Sequence, residues 1–109
     1  MSIIRLRDMM AACNHINTLI KYPGCKQICD DELISTISDN TEDKILLVLG
    51  MFDREIQMCR RGIIYAFEHS LVLTSPYEIV LQNKLRVRFI HIGNPNAIYG
   101  LQPDYVYII

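Results

Sequence analysis

The sequence predicts an α+β domain in which two or three N-terminal helices, one of them long, pack on a small C-terminal antiparallel sheet of three to four strands. Apolar residues recur at helical spacing over residues 1–69. Over residues 70–109 the period changes to two, and proline and glycine separate the apolar runs, as in a β-meander. Because 109 residues suit one hydrophobic core, we expect a single domain, helical over 1–69 and β-stranded over 70–109.

Two shorter helices are expected first. In one, the apolar residues of Leu6–Ile20 fall three or four positions apart, and Pro23 then ends the helix. The other begins at Asp30, where consecutive carboxylates suit the positive end of a helix dipole, and ends at Ser38.

A third, long helix is indicated by apolar spacing over residues 40–69, which start with two good N-cap residues. At 1.5 Å per residue this helix would be about 42 Å long, whereas a globule of this size is roughly 34 Å across. We therefore expect a break near Gly50 or Gly62, since glycine is unfavourable inside a helix. The alternatives are an unbroken helix that projects into a partner chain and a strand over Ile45–Phe52.

The register of the sheet follows from keeping apolar and charged side chains on separate faces. A three-residue loop, Gln82–Lys84, aligns Ile79 with Val87 and sets Glu78 opposite Arg88. A two-residue loop would instead place apolar and basic side chains together, so we expect the longer loop.

The last strand, Tyr105–Ile109, is apolar on both faces and therefore needs cover on both sides. It either runs centrally beneath the helices or closes an interface with another chain, where tyrosine is a favoured anchor. Tyr105 and Tyr107 are therefore candidate partner-binding residues, and so is Tyr99 in the preceding loop, which Pro95 and Pro103 stiffen.

Composition and charge exclude several classes of protein. The chain is 50% apolar with a net charge of −1, which indicates a folded domain rather than a disordered segment. No apolar run approaches the roughly 20 residues of a membrane span, and the charged N-terminus does not resemble a signal peptide. We therefore expect a cytoplasmic or otherwise intracellular protein without a membrane partner, and the abundant isoleucine suggests a viral or phage origin.

One cysteine and histidine pattern could hold zinc, which prefers thiolate and imidazole ligands. It consists of Cys13, His15, Cys25 and Cys29. Two residues apart on a helix, Cys13 and His15 would point about 200° apart, so they suit one ion poorly. We expect reduced thiols and no cofactor, and elemental analysis of the purified protein would decide.

Arg86 and Arg88, with Lys84 in the turn, form a basic stripe whose spacing of about 7 Å could follow the phosphates of a nucleic acid. Glu78, opposite Arg88, and the lack of net positive charge argue against this partner. A small nucleic-acid-binding or hydrolytic enzyme is the alternative function, and it would need five side chains to converge: Glu68, His69, His91, Arg86 and Arg88.

The sequence favours a non-enzymatic protein–protein interaction module, such as a small inhibitor or adaptor, because it combines high apolar content, an over-long predicted helix and a tyrosine-bearing last strand. It also contains none of the specific catalytic motifs. Its partner is expected to be another protein, self-association is expected, and nucleic acid is not. The candidate partner-binding residues are Arg86, Arg88, Tyr99, Tyr105 and Tyr107.

Overall fold

The computed structural model of the chain describes Asn14, Asn17 and residues 24–93 and 101–109. Within these residues, six strands and two α-helices follow in the order β1 (Lys26–Ile28), α1 (Asp30–Ser38), β2 (Lys44–Gly50), α2 (Asp53–Ala66), β3 (Leu71–Ser75), β4 (Glu78–Leu81), β5 (Leu85–His91) and β6 (Tyr105–Ile108). A short 3-10 helix, Glu68–Ser70, leads into β3. The strands form one sheet in the order β1-β6-β2-β5-β4-β3.

The expected fold class is wrong, because this sheet is neither small nor confined to the C-terminal third. β1, β6, β2 and β5 pair in parallel, whereas β4 is antiparallel to both of its neighbours. The result is an α/β-type fold with a mixed sheet. No helix in the described part of the chain is both long and apolar enough to cross a membrane.

The predicted long helix over residues 40–69 is wrong because its first part is the strand β2. Four consecutive residues of β2 are fully buried: Leu46, Leu47, Val48 and Leu49. A strand inside a parallel sheet is covered on both faces, so it is apolar without alternation. A continuous apolar run also contains apolar residues three and four positions apart. A buried strand and an amphipathic helix therefore give the same sequence pattern here.

The expected break falls at Gly50 and not at Gly62, which lies inside α2. A Cβ at Gly50 would lie 2.5 Å from Cγ1 of Ile56, so glycine lets the first turn of α2 approach the end of β2. Asn40 is not an N-cap. Its buried amide group donates to the carbonyl oxygens of Glu42 at 2.7 Å and Asn83 at 3.0 Å.

The helix predicted from Asp30 to Ser38 is confirmed as α1. Its first turn is fixed by Glu32, whose carboxylate accepts hydrogen bonds from the backbone N–H of Cys29 at 3.3 Å and from the Lys26 ammonium at 2.9 Å. These contacts lower the pKa of Glu32 to about 2, and the hydrogen bond from Lys26 has the largest effect. The predicted helix Leu6–Ile20 lies outside the described residues, except that Asn14 and Asn17 have helical backbone and are exposed.

Each face of the sheet carries a hydrophobic core. On the face covered by α1 and α2, called here the helix face, Ile37, Ile56 and Ile63 pack on Leu46, Val48 and Val87 among others. The opposite side, called the second face, has a smaller core of Leu47, Leu49, Ile90 and Val106. This second core lies under β6, β2 and the end of β5.

The predicted register of the β4–β5 hairpin is confirmed, with Glu78 opposite Arg88 and Ile79 opposite Val87. Of the two positions expected for the last strand, central or at an interface with another chain, the structure shows the central one, because β6 lies between β1 and β2. The β-meander is confirmed for β3–β5 alone, since β6 joins the sheet in parallel on the far side of β2.

Candidate functional site

A cleft of about 630 Å³ opens where the amino ends of β2 and β5 meet the carboxyl end of β4. Val72 and Val80 contribute apolar wall, and the basic residues Lys84 and Arg86 line the same cavity. Within the described residues the core of the second face does not extend this far, and Val72 and Arg86 are exposed at the cavity. We name this cavity the basic cleft.

The turn between β4 and β5 positions the cationic side of the basic cleft. Lys84 has a φ of 73°, a left-handed conformation that closes the tight loop, and its N–H donates to the carbonyl of Leu81 at 3.0 Å. Asn83 anchors the loop to α1, because its amide donates to the carbonyl of Ile37 at 2.7 Å. The side chain of Lys84 makes no hydrogen bond or ion pair with the described residues.

Two guanidinium groups share one carboxylate beside the basic cleft. Arg86 Nη1 and Arg88 Nε each lie 3.8 Å from the same oxygen, Oε2 of Glu78. These are ion pairs but are too long for hydrogen bonds. Arg88 Nε is also buried without a hydrogen-bond partner in the described residues, although the side chain as a whole is 39% exposed. Arg86, Arg88 and Glu78 together therefore carry one excess positive charge, and guanidinium N–H groups remain that could donate hydrogen bonds.

Two of the other charged groups at the basic cleft are already engaged within the chain. The Lys44 ammonium lies 5.5 Å from the centre of the Tyr105 ring, and its contact with the Tyr105 hydroxyl raises the pKa of Lys44. Asp104 accepts a hydrogen bond from the backbone N–H of Ile45 at 2.9 Å. Arg86 and Lys84 are thus the cations of the cleft that are available to a ligand.

Strand β3 borders the basic cleft and is the last strand of the described sheet. Its five residues are uncharged, and Val72 and Leu73 are 64% and 51% exposed. A β-bulge between Leu71 and Leu73 interrupts the pairing with β4. Bulges of this kind twist an edge strand and discourage uncontrolled pairing with other chains. An extended ligand is therefore expected to contact side chains here more than the free backbone edge.

The structure divides the predicted partner-binding residues between two faces. Arg86 and Arg88 lie with Glu78 on the second face, whereas Tyr105 and Tyr107 pack against the core of the helix face. Tyr107 donates a hydrogen bond of 2.5 Å to Asp30, which together with burial raises the pKa of Tyr107 to about 12. Tyr99 lies outside the described residues.

Replacing Tyr107 by phenylalanine is expected to destabilise the protein by about 1 kcal/mol at neutral pH, since the hydrogen bond to Asp30 is lost. The pKa of Tyr107 rises from 10.0 to about 12 in the fold, so this contribution is present below pH 10 and is lost as the pH rises towards 12. Tyr107→Phe should therefore lose less stability over this range than the wild-type protein, as measured by urea unfolding.

Tyr65→Phe is the matched control, because Tyr65 is 82% exposed on α2. Its stability should follow that of the wild-type protein at every pH. Equal alkaline profiles for Tyr107→Phe and Tyr65→Phe would contradict a stabilising role for the hydrogen bond to Asp30.

The five side chains required by the enzymatic alternative do not converge. Arg86 and His91 are five residues apart on β5, which corresponds to about 17 Å along an extended strand. Glu68 and His69 pair with each other at 3.4 Å in the 3-10 helix that follows α2. Arg86 and His91 are therefore too far apart to act on one substrate atom.

The predicted zinc pattern is also divided. Cys25 and Cys29 flank β1, so their Cα atoms are about 13 Å apart, too far for both sulfurs to bind one ion at about 2.3 Å. Cys13 and His15 lie outside the described residues. Within the described residues, no group of three or more histidine, cysteine, aspartate or glutamate side chains could hold a metal ion.

The chain matches no protein-family model, and no curated protein or solved structure is similar enough to it to count as a match. The geometry of the described residues is therefore what bears on its function. Sequence reasoning found Arg86, Arg88, Glu78 and, in the turn, Lys84 through the hairpin, but it missed Val72. For Val72 the signal was weak, because a bulge in β3 places it at the basic cleft.

Proposed function

We propose that this chain is a non-enzymatic protein-interaction module that binds an extended segment of a partner protein in the basic cleft. The supporting observation is that one cavity of about 630 Å³ combines apolar side chains with two cations. Lys84 has no side-chain partner in the described residues, and Arg86 lies 3.8 Å from Glu78, too far for a hydrogen bond. Val72 and Val80 offer apolar surface to a partner side chain, and burial of such surface contributes about 25 cal/mol per Å². Lys84 and Arg86 add charge that orients the segment.

A protein partner fits the basic cleft better than a nucleic acid. Asp43, Asp104 and Glu78 lie among the cations here, so the cleft lacks the continuous positive charge that a run of phosphates requires. The Lys44 ammonium lies over the ring of Tyr105, so this ring is not free to stack on a base. An apolar wall beside mixed charges is typical of a surface that binds protein.

An inhibitor or adaptor role needs no catalytic group and agrees with this arrangement. The described cysteines Cys25, Cys29 and Cys59 are free thiols, which supports an intracellular setting for the interaction. The alternative ligand of the basic cleft is a second copy of this chain. Size-exclusion chromatography with light scattering distinguishes the two cases. A dimer that forms through the basic cleft would dissociate when a peptide binds there.

The test is a selection of binders from a random 12-residue peptide library displayed on phage, with the purified chain as bait. Enriched peptides should compete with one another and should shift the backbone NMR signals of β3 and β5. Fluorescence anisotropy should show at least tenfold weaker binding to Val72→Asp, which places a charge in the apolar wall at an exposed position that tolerates it. Met58→Asp, at an exposed position on α2, is the matched control and should bind as the wild-type protein does. If no peptide is enriched, or if Val72→Asp binds normally, the proposal is wrong.

A further inference from the structure

The arginine pair beside the basic cleft lacks one counter-ion. Arg86 and Arg88 share the single carboxylate of Glu78, and neither contact at 3.8 Å is short enough for a hydrogen bond. A second carboxylate would neutralise the excess charge and accept hydrogen bonds from the guanidinium donors. We propose that the partner segment is acidic and that one of its carboxylates binds Arg86 and Arg88. This inference rests on the proposed function and names the chemistry of the partner.

Both arginine side chains reach the surface, although Nε of Arg88 is itself buried. The side chains of Arg86 and Arg88 are 53% and 39% exposed, and they lie two residues apart on the same face of β5, about 7 Å along the strand. Arginine presents its donors in a planar fork that matches the two oxygens of a carboxylate.

The apolar neighbour of the arginine pair sets the spacing within the segment. Val80 lies directly opposite Arg86 in the β4–β5 register and diagonal to Arg88, at about 7 Å. In an extended segment, side chains two positions apart also point the same way with about 7 Å between them. The binding motif is therefore an aspartate or glutamate two residues from an apolar residue.

Selection from the same random peptide library tests this inference through the sequences that it enriches. Binders of the wild-type chain should carry an aspartate or glutamate two positions from an apolar residue. The double variant Arg86→Glu/Arg88→Glu should enrich lysine and arginine instead and should bind the acidic peptides at least tenfold more weakly. The double variant Arg86→Gln/Arg88→Gln, which avoids repulsion with Glu78, should show the same loss.

Two further variants separate the local charge from the net charge. Arg54→Glu/Arg61→Glu changes the net charge by the same amount at exposed positions of α2, on the other side of the sheet, and should bind acidic peptides within twofold of the wild-type protein. Glu78→Gln removes the internal competitor for the arginines, and affinity for the acidic peptides should rise severalfold.

The outcomes for the inference and for the proposed function are distinct. Peptides that bind the basic cleft without a preference for acidic residues would overturn the inference and leave the interaction module in place. If no peptide binds the cleft, both are overturned. A single-stranded oligonucleotide of equal charge that binds more tightly than the acidic peptides would overturn the inference in favour of a nucleic-acid partner.

Discussion

Replacing either Leu46 or Leu47 by alanine is expected to lower the free energy of unfolding by about 2–5 kcal/mol. Neighbouring residues of a strand point to opposite faces of the sheet. Leu46 belongs to the core of the helix face and Leu47 to that of the second face, and both are 0% exposed. Each substitution therefore removes methyl and methylene groups from a closely packed core and leaves a cavity.

Urea unfolding followed by circular dichroism measures both effects, with Leu73→Ala as the control. Leu73 lies in β3 and is 51% exposed, so its truncation should change stability by less than about 1 kcal/mol. If Leu47→Ala were as mild as Leu73→Ala, the second face would not be a core and β2 would be covered on one side only. An amphipathic helix over residues 40–69 predicts this milder result for one of the two leucines.

The parts of the fold that local chemistry determines could be predicted from the sequence. α1 follows from the consecutive carboxylates at Asp30–Glu32, which suit the first turn of a helix. The β4–β5 register follows from the separation of apolar and charged residues, and it correctly places Glu78 opposite Arg88. The charged half of the candidate site is part of the same hairpin, so it was found as well.

The parts that depend on distant segments could not be predicted in this way. β1 has three residues and no apolar alternation, and it becomes a strand by pairing in parallel with β6, almost 80 residues later. β2 is central because β5 and β6 lie on its two sides, which makes its apolar run continuous. The basic cleft is formed in the same way, since the pairing of β3 with β4 and of β4 with β5 brings Val72 and Arg86 to the same cavity.

Alanine substitutions at Gly50 and Gly62 are expected to have opposite effects on stability. A Cβ at Gly50 would lie 2.5 Å from Cγ1 and 3.2 Å from Cδ1 of Ile56, a buried side chain held between α2 and the sheet. Crowding of this kind costs about 1–3 kcal/mol, because the packed side chain must leave its rotamer or the backbone must shift. Gly50→Ala should therefore destabilise the protein by about this amount.

Gly62 provides the matched comparison, because it lies exposed in the interior of α2, where an added Cβ would meet no neighbouring atom of the described residues within 4 Å. Alanine there should stabilise the protein by up to about 1 kcal/mol, since it lowers the entropy that the backbone loses in a helix. Urea unfolding of both variants measures the two signs. A single helix through Gly50 and Gly62 would gain stability from both substitutions, whereas a strand that ends at Gly50 against Ile56 gains it from Gly62→Ala alone.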